Sequence, residues 1–277
     1  MALYSHSRLS SFEQCPLKYR FRYIEKIDPD FKQSIEGFLG NKVHDTLEWI
    51  YNHPKKETLE SDDVIKHYIE NWNKDFSPAI KIVKADLTAE VYFNKGLKFL
   101  ICYFLKHKPF KDGTIATEKR IFIDLDKEGS KKLIGYIDRL VHNKETNILE
   151  VHDYKTSGSI KSQEELDNDR QLAIYSIAIR NEFKEATDVH LVWHFLDFNQ
   201  TLVSKRTIEQ LAQLKQDIIK LINKIENEND FPPQPSILCN WCEYQSKCDL
   251  FQKNIGNLKL KSNKSGEHQA SLENFRN

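Results

Sequence analysis

The chain has 277 residues, 41 of them basic and 41 acidic, so its formal net charge is zero. That balance excludes a general electrostatic attraction to nucleic acid or membrane surfaces, and a polyanion site must concentrate positive charge locally. The length suffices for a core that needs neither metal nor disulfide to form, so any metal site is a local or functional feature.

The opening segment MALYSHSRLSSF lacks a cationic start followed by a long apolar core. No later run reaches the roughly 18 apolar residues of a membrane span. The expected compartment is the cytoplasm. Positive charge gathers modestly in the first 26 residues (Arg8, Lys18, Arg20, Arg22 and Lys26 against Glu13 and Glu25) and again in the lysine-rich tail. A solvated helix face explains these patches as well as a binding surface does.

In chain order, LSSFEQCPLKYRFRYIEK (9–26) repeats apolar groups at helical spacing, with Ser10 or Ser11 as the expected cap and Pro16 in a first turn or kink. GFLGNKVHDTLEWIY (37–51) reads as a glycine-marked turn entering a helix, with His44 near its start and Val43, Leu47 and Ile50 on one face. Residues 52–112 read as a helical insertion, broken near Pro78 and again from Lys108 to Gly113.

Beyond Gly113 the period changes to two. TIATEKRIFIDL, KKLIGYIDRLVH and NILEVHDYKT alternate and are rich in β-branched residues, and the links between them are short and polar, which predicts an antiparallel meander. A helix over 162–182, two further strands and a capped amphipathic helix from about Thr207 to Asn227 follow. Residues 113–230 make a mixed α/β core, 231–255 a cysteine subdomain and 256–277 an expected disordered tail. No internal repeat of useful length is present.

Asp153 and Lys155 stand two apart on one predicted strand and so share a face. Asp138 lies at the end of the preceding strand, where antiparallel pairing can bring it beside Asp153. Two carboxylates suit Mg²⁺ or Mn²⁺, and a neighbouring lysine can hold, orient or help deprotonate an attacking water. The tripeptide D-x-K alone usually marks a surface salt bridge, a lone histidine such as His44 is usually structural, and Gln171 and Tyr175, four apart, read alone as one face of a helix. Glu118 reads as a solvated residue on the first strand of the meander, or as an outer contributor.

The ordered set GNKVHDTLE, TEKRIFID, LIGYIDRL, VHDYKT and RQLAIYSIA resembles the RecB-like branch of the PD-(D/E)xK nuclease superfamily, over about residues 4–252. The proline of the superfamily's name is absent, since Ile137 precedes Asp138. The resemblance implies a restriction-endonuclease-like core, with His44, Asp138, Asp153 and the Tyr154 carbonyl as metal ligands and Lys155 as the catalytic lysine. It also implies that Gln171 and Tyr175 contact DNA and support the site, with Arg139 as a further substrate-binding residue.

CNWCEYQSKC places Cys239, Cys242 and Cys248 in ten residues, and Cys15 is the candidate fourth ligand; Cys102 reads as a core residue. Four thiolates suit zinc or a 4Fe-4S cluster, and spacing does not choose between them. Resemblance to the AddB type and to CRISPR-associated relatives implies the iron-sulfur cluster, which would staple the two ends of the domain together. The implied function is ATP-independent cleavage of single-stranded DNA or DNA ends, in repair, recombination or CRISPR-type processing. No GxxxxGK(S/T) motif is present, so a helicase would be a separate partner. The alternatives are a non-catalytic nucleic-acid-binding module on the same scaffold and a zinc-stapled structural protein.

Overall fold

The computed structural model describes residues 3–126 and 128–253; the expected disordered tail lies outside them. The elements are β1 (Leu3–Ser5), α1 (His6–Gln14), α2 (Pro16–Tyr19), α3 (Ile35–Asn52), α4 (Ser61–Asp75), α5 (Ala89–His107), β2 (Thr114–Asp124), β3 (Lys132–Asn143), β4 (Ile148–Lys155), α6 (Gln163–Asp167), α7 (Arg170–Glu182), β5 (Asp188–Phe195), β6 (Gln200–Ser204), α8 (Ile208–Glu226) and α9 (Asp249–Lys253).

The meander forms as its alternation predicts, with β2 antiparallel to β3 and β3 antiparallel to β4. Parallel pairs β1 with β3 and β4 with β5, followed by antiparallel β6, make the six-stranded sheet mixed. On one side α1, α7 and α8 cover a core of Leu133, Leu149, Val151 and Trp193. On the other, α3, α4 and α5 form an aromatic-rich layer that reaches Tyr154.

Several local expectations shift. Ser5, and not Ser10 or Ser11, caps the first helix, its hydroxyl accepting from Arg8 N at 3.1 Å. Gly37 and Gly40 lie inside α3, which Ser34 caps, so His44 sits in mid-helix. Since α3 packs with α4 and α5, the helical layer starts at Ile35, ahead of residue 52. The helix expected over 162–182 breaks at Asn168, and Asp169 caps α7 through Gln171 N. Cys102 is half-buried. No helix among the described residues is long and apolar enough to cross a membrane.

Candidate active site

The sheet divides at β3. One edge of β3 pairs with β2 along 132–141; the other pairs with β1 at Lys132 to Ile134 and with β4 from Arg139 onward. Residues 135–138 are therefore left unpaired on that edge, and the side chains of the site fill the gap. Gly135 takes the ring of Tyr175, which any Cβ there would overlap. The Tyr136 N–H, with no strand partner at this point, bonds the Tyr175 hydroxyl.

Asp138 stands in the middle of β3, where its register meets Asp153, and not at the strand's end. The last paired residues are Arg139 and His152; one step further the strands part, and Tyr154 N donates to Asp138 Oδ2 at 2.9 Å. From α3, His44 reaches in with Nδ1 3.4 Å from Asp138 Oδ2 and Nε2 2.8 Å from the Tyr154 carbonyl oxygen. From α7, Gln171 donates to Asp153 Oδ1 at 2.7 Å and accepts from Lys155 Nζ at 2.8 Å. The fold thus brings His44, Asp138, Asp153, Tyr154 and Lys155 together from three elements.

Burial lifts the Asp138 carboxyl to about 7, opposed by His44 and reinforced by Asp153. At Lys155 burial works against the charged form, but the adjacent Asp153 outweighs it and raises the ammonium above its usual range. Asp153 is held on both oxygens, Oδ1 by the Gln171 amide and Oδ2 by an ion pair to Lys155 Nζ at 2.7 Å. The donor set that converges here, two carboxylates, the Tyr154 carbonyl and the His44 imidazole, fits an oxygen-ligated divalent cation.

Glu118 is a residue whose part sequence reasoning undervalued. It lies opposite Asp138 by the flanking pairs Thr117 with Arg139 and Lys119 with Ile137, and its φ of +44° is in the left-handed region. His44, Glu118 and Asp138 offer ligand atoms within 4.8 Å of one another, at the rim of a cleft of about 660 Å³ that Thr156 also lines. Period-two alternation alone assigns Glu118 a face and gives no sign of that backbone twist.

Arg139 does not face the cleft. Its guanidinium lies under α3 and α5, with Nε donating to the Tyr154 hydroxyl at 2.8 Å, an ion pair to Asp112 and a contact to His152 Nδ1 at 2.7 Å. The Tyr51 ring stacks on it, with its centroid 4.3 Å away. With a side chain only 2% exposed it has no surface to offer a substrate. Tyr175 is buried too, so its contacts frame the site and leave little of it for DNA.

The four outlying cysteines line one cavity of about 60 Å³. Gln234 N and Ser236 N donate to the sulfurs of Cys15 and Cys239 at 3.5 and 3.4 Å. Burial pushes the Cys242 thiol up to about 11, which favours its neutral form in the metal-free protein. Among the described residues no three of the four sulfurs lie within 4.8 Å of one another; the one such group of ligand atoms is that at His44. Three of the five basic residues of the N-terminal segment are ion-paired within the protein: Lys18 and Arg22 with Glu243 at 3.0 and 2.5 Å, and Arg20 with Glu25 at 2.5 Å.

A mixed sheet that forks around two carboxylates and a lysine, with helices on both faces, defines a nuclease core. The chain belongs to the PD-(D/E)XK nuclease superfamily, whose family model matches residues 4–249. No curated protein matches the sequence. Among solved structures, a proposed exonuclease from Eubacterium rectale aligns over 91% of this chain and 88% of its own, at 9% identity and a TM-score of 0.48. A protein named SSO0001 aligns over 77% of this chain and 95% of its own, at 17% identity and a TM-score of 0.39.

Proposed function

We propose that the protein is a metal-dependent deoxyribonuclease of the RecB-like branch, an ATP-independent exonuclease acting on single strands or DNA ends in repair, recombination or CRISPR-type processing. The observation that carries this reading is the convergence of His44, Asp138, Asp153, the Tyr154 carbonyl and Lys155 in the fork between β3 and β4. Asp138, Asp153, His44 and the Tyr154 carbonyl would hold Mg²⁺ or Mn²⁺, with Glu118 close by. Bound there, the cation supplies Lewis acidity to the scissile phosphate and neutralises its developing charge.

The chain's own groups act around it. Lys155, kept cationic by Asp153, offers its ammonium to a phosphate oxygen or to the attacking water. Gln171 fixes Lys155 and Asp153 relative to each other through its two amide atoms. The test is cleavage of end-labelled single- and double-stranded DNA in Mg²⁺, Mn²⁺ or EDTA. Lys155→Ala should lose at least about 100-fold in rate, the scale of removing one transition-state contact; equal degradation by variant and wild type would sink the assignment.

For the cysteines we favour a structural 4Fe-4S cluster over zinc. The shared cavity and the N–H···S bonds support a four-thiolate site, and the resemblance to AddB-type and CRISPR-associated relatives favours the cluster. A brown anaerobic preparation with matching iron and sulfide is the expected result. A colourless protein holding one zinc reverses the choice.

A further inference from the structure

β2 and β3 form a two-stranded ribbon that runs out from the fork, and the face it exposes is unusual. Phe122 is 55% and Tyr136 50% exposed, large aromatic surface left in water at two neighbouring positions. Arg120 pairs directly with Tyr136 across the strands, and Phe122 with Ile134. The Arg120 guanidinium lies over the Phe122 ring, 4.6 Å from its centroid. No carboxylate among the described residues pairs with Arg120, whereas Asp124 at the ribbon's far end is neutralised by Lys132 at 2.9 Å. Nothing described in the fold uses these three side chains.

Their position adds to their chemistry. Tyr136 is two residues along β3 from Asp138, and Arg120 two residues along β2 from Glu118, so each begins about 7 Å from the candidate metal site. Two exposed rings with one unpaired guanidinium between them, starting where phosphodiester cleavage is placed, match the elements that hold unpaired nucleotides. Aromatic faces stack bases, and the cation meets phosphate or a base plane. Paired bases offer no such faces. We propose that Arg120, Phe122 and Tyr136 form a docking track for single-stranded DNA leading to the carboxylates of the fork, an inference that rests on the nuclease reading above.

The experiment measures binding of a fluorescent 20-nucleotide oligo(dT) to the full chain in Ca²⁺, alongside a hairpin duplex of equal length. A Phe122→Ala/Tyr136→Ala double variant should raise the Kd for the single strand at least tenfold, given that a stacked base contributes about 1–3 kcal/mol, and change duplex binding less than about threefold. Tyr136→Trp should bind the single strand at least as well as wild type. Arg120→Ala should flatten the log–log salt dependence by about 0.7, one phosphate on a single strand. All three side chains are exposed, so the variants should melt as wild type does.

Single-strand affinity within threefold of wild type in the double variant overturns the track, as does equal loss on both DNAs or a wild type that binds no single strand. A concentration-dependent dimer abolished by the double variant, with DNA binding unchanged, assigns the face to a second copy and also overturns it. The nuclease reading fails separately: a wild type that does not cleave in Mg²⁺, yet binds single strands through Tyr136 and Phe122, leaves the track standing and removes the enzyme.

Discussion

Asp138 meets two opposed demands, burial in a fork of the sheet and availability as an anion. Its carboxyl titrates near 7 in the fold against 3.8 in the unfolded chain, chiefly because of burial. Between those values the folded state holds the extra proton, so this group's contribution to stability is full below about pH 4 and is lost as the pH rises towards 7. Asp138→Asn removes the dependence. In EDTA the variant should be more stable than wild type at pH 8 by up to about 4 kcal/mol and indistinguishable from it below pH 4. Added Mg²⁺ should narrow the gap at pH 8 by stabilising the wild-type carboxylate; urea melts at both pH values check this, and equal stability at pH 8 rules out burial as the cause. Arg139 is the contrasting case. Arg139→Ala strands His152 and the Tyr154 hydroxyl in the interior, takes the ion-pair partner from Asp112, and should cost about 3–5 kcal/mol, a fall in Tm on the order of 10 °C. DNA affinity measured below the transition should stay at the wild-type value. Weakened binding without lost stability would return Arg139 to the role of a substrate contact.

At the scale of elements, the gap in β3 and the helix α7 are one device. Gly135 has no Cβ because the Tyr175 ring occupies that space, and the same tyrosine holds the Tyr136 N–H and bonds Gln171. Gly135→Ala should therefore destabilise by about 1–3 kcal/mol and slow cleavage through displaced Gln171. In a Tyr175→Ala background its cost should fall below about 1 kcal/mol, a coupling that a double-mutant cycle reads directly. Additive costs would mean that the contact is not what makes glycine necessary. The meander was legible in the sequence because β2, β3 and β4 alternate and their turns are polar. So was Asp138 beside Asp153, because antiparallel register follows from strand and turn lengths. The fork was not legible: it depends on β1, three residues long, pairing in parallel with a strand over a hundred residues away. Arg139 was misplaced for a related reason. Its neighbour Asp138 lines the cleft, and alternation says that the two face opposite ways without saying which face is covered by helices. The left-handed backbone at Glu118 leaves no mark in residue type, since glycine or asparagine would have been the usual signal.

On the scale of the whole molecule, the cysteine cavity joins the N-terminal helices to the last described residues, and the cysteine segment touches the helix that carries His44. Trp241, between Cys239 and Cys242, donates to Glu36 Oε1 at 3.4 Å, and Glu36 lies in the first turn of α3. A group bound by Cys15 and the other three closes a loop of more than two hundred residues, which in a chain-entropy picture stabilises by about 5 kcal/mol. Part of that closure exists without it. Glu243 holds Lys18 and Arg22, its carbonyl accepts from Asp30 N at 2.7 Å, and Asp30 accepts from Ser246 N at 2.9 Å. Cys15→Ser should therefore leave a folded but weakened protein, with Tm lower by at least about 5 °C and the iron content and colour lost if the cluster is present. Because α3 begins against the cysteine segment, His44 should be held less firmly, and cleavage at a temperature where the variant is fully folded should fall while single-strand binding to the β2–β3 ribbon persists. A variant that loses its metal and keeps both wild-type Tm and wild-type cleavage would show that the ion pairs alone close the molecule and that the cysteines serve neither stability nor the position of α3.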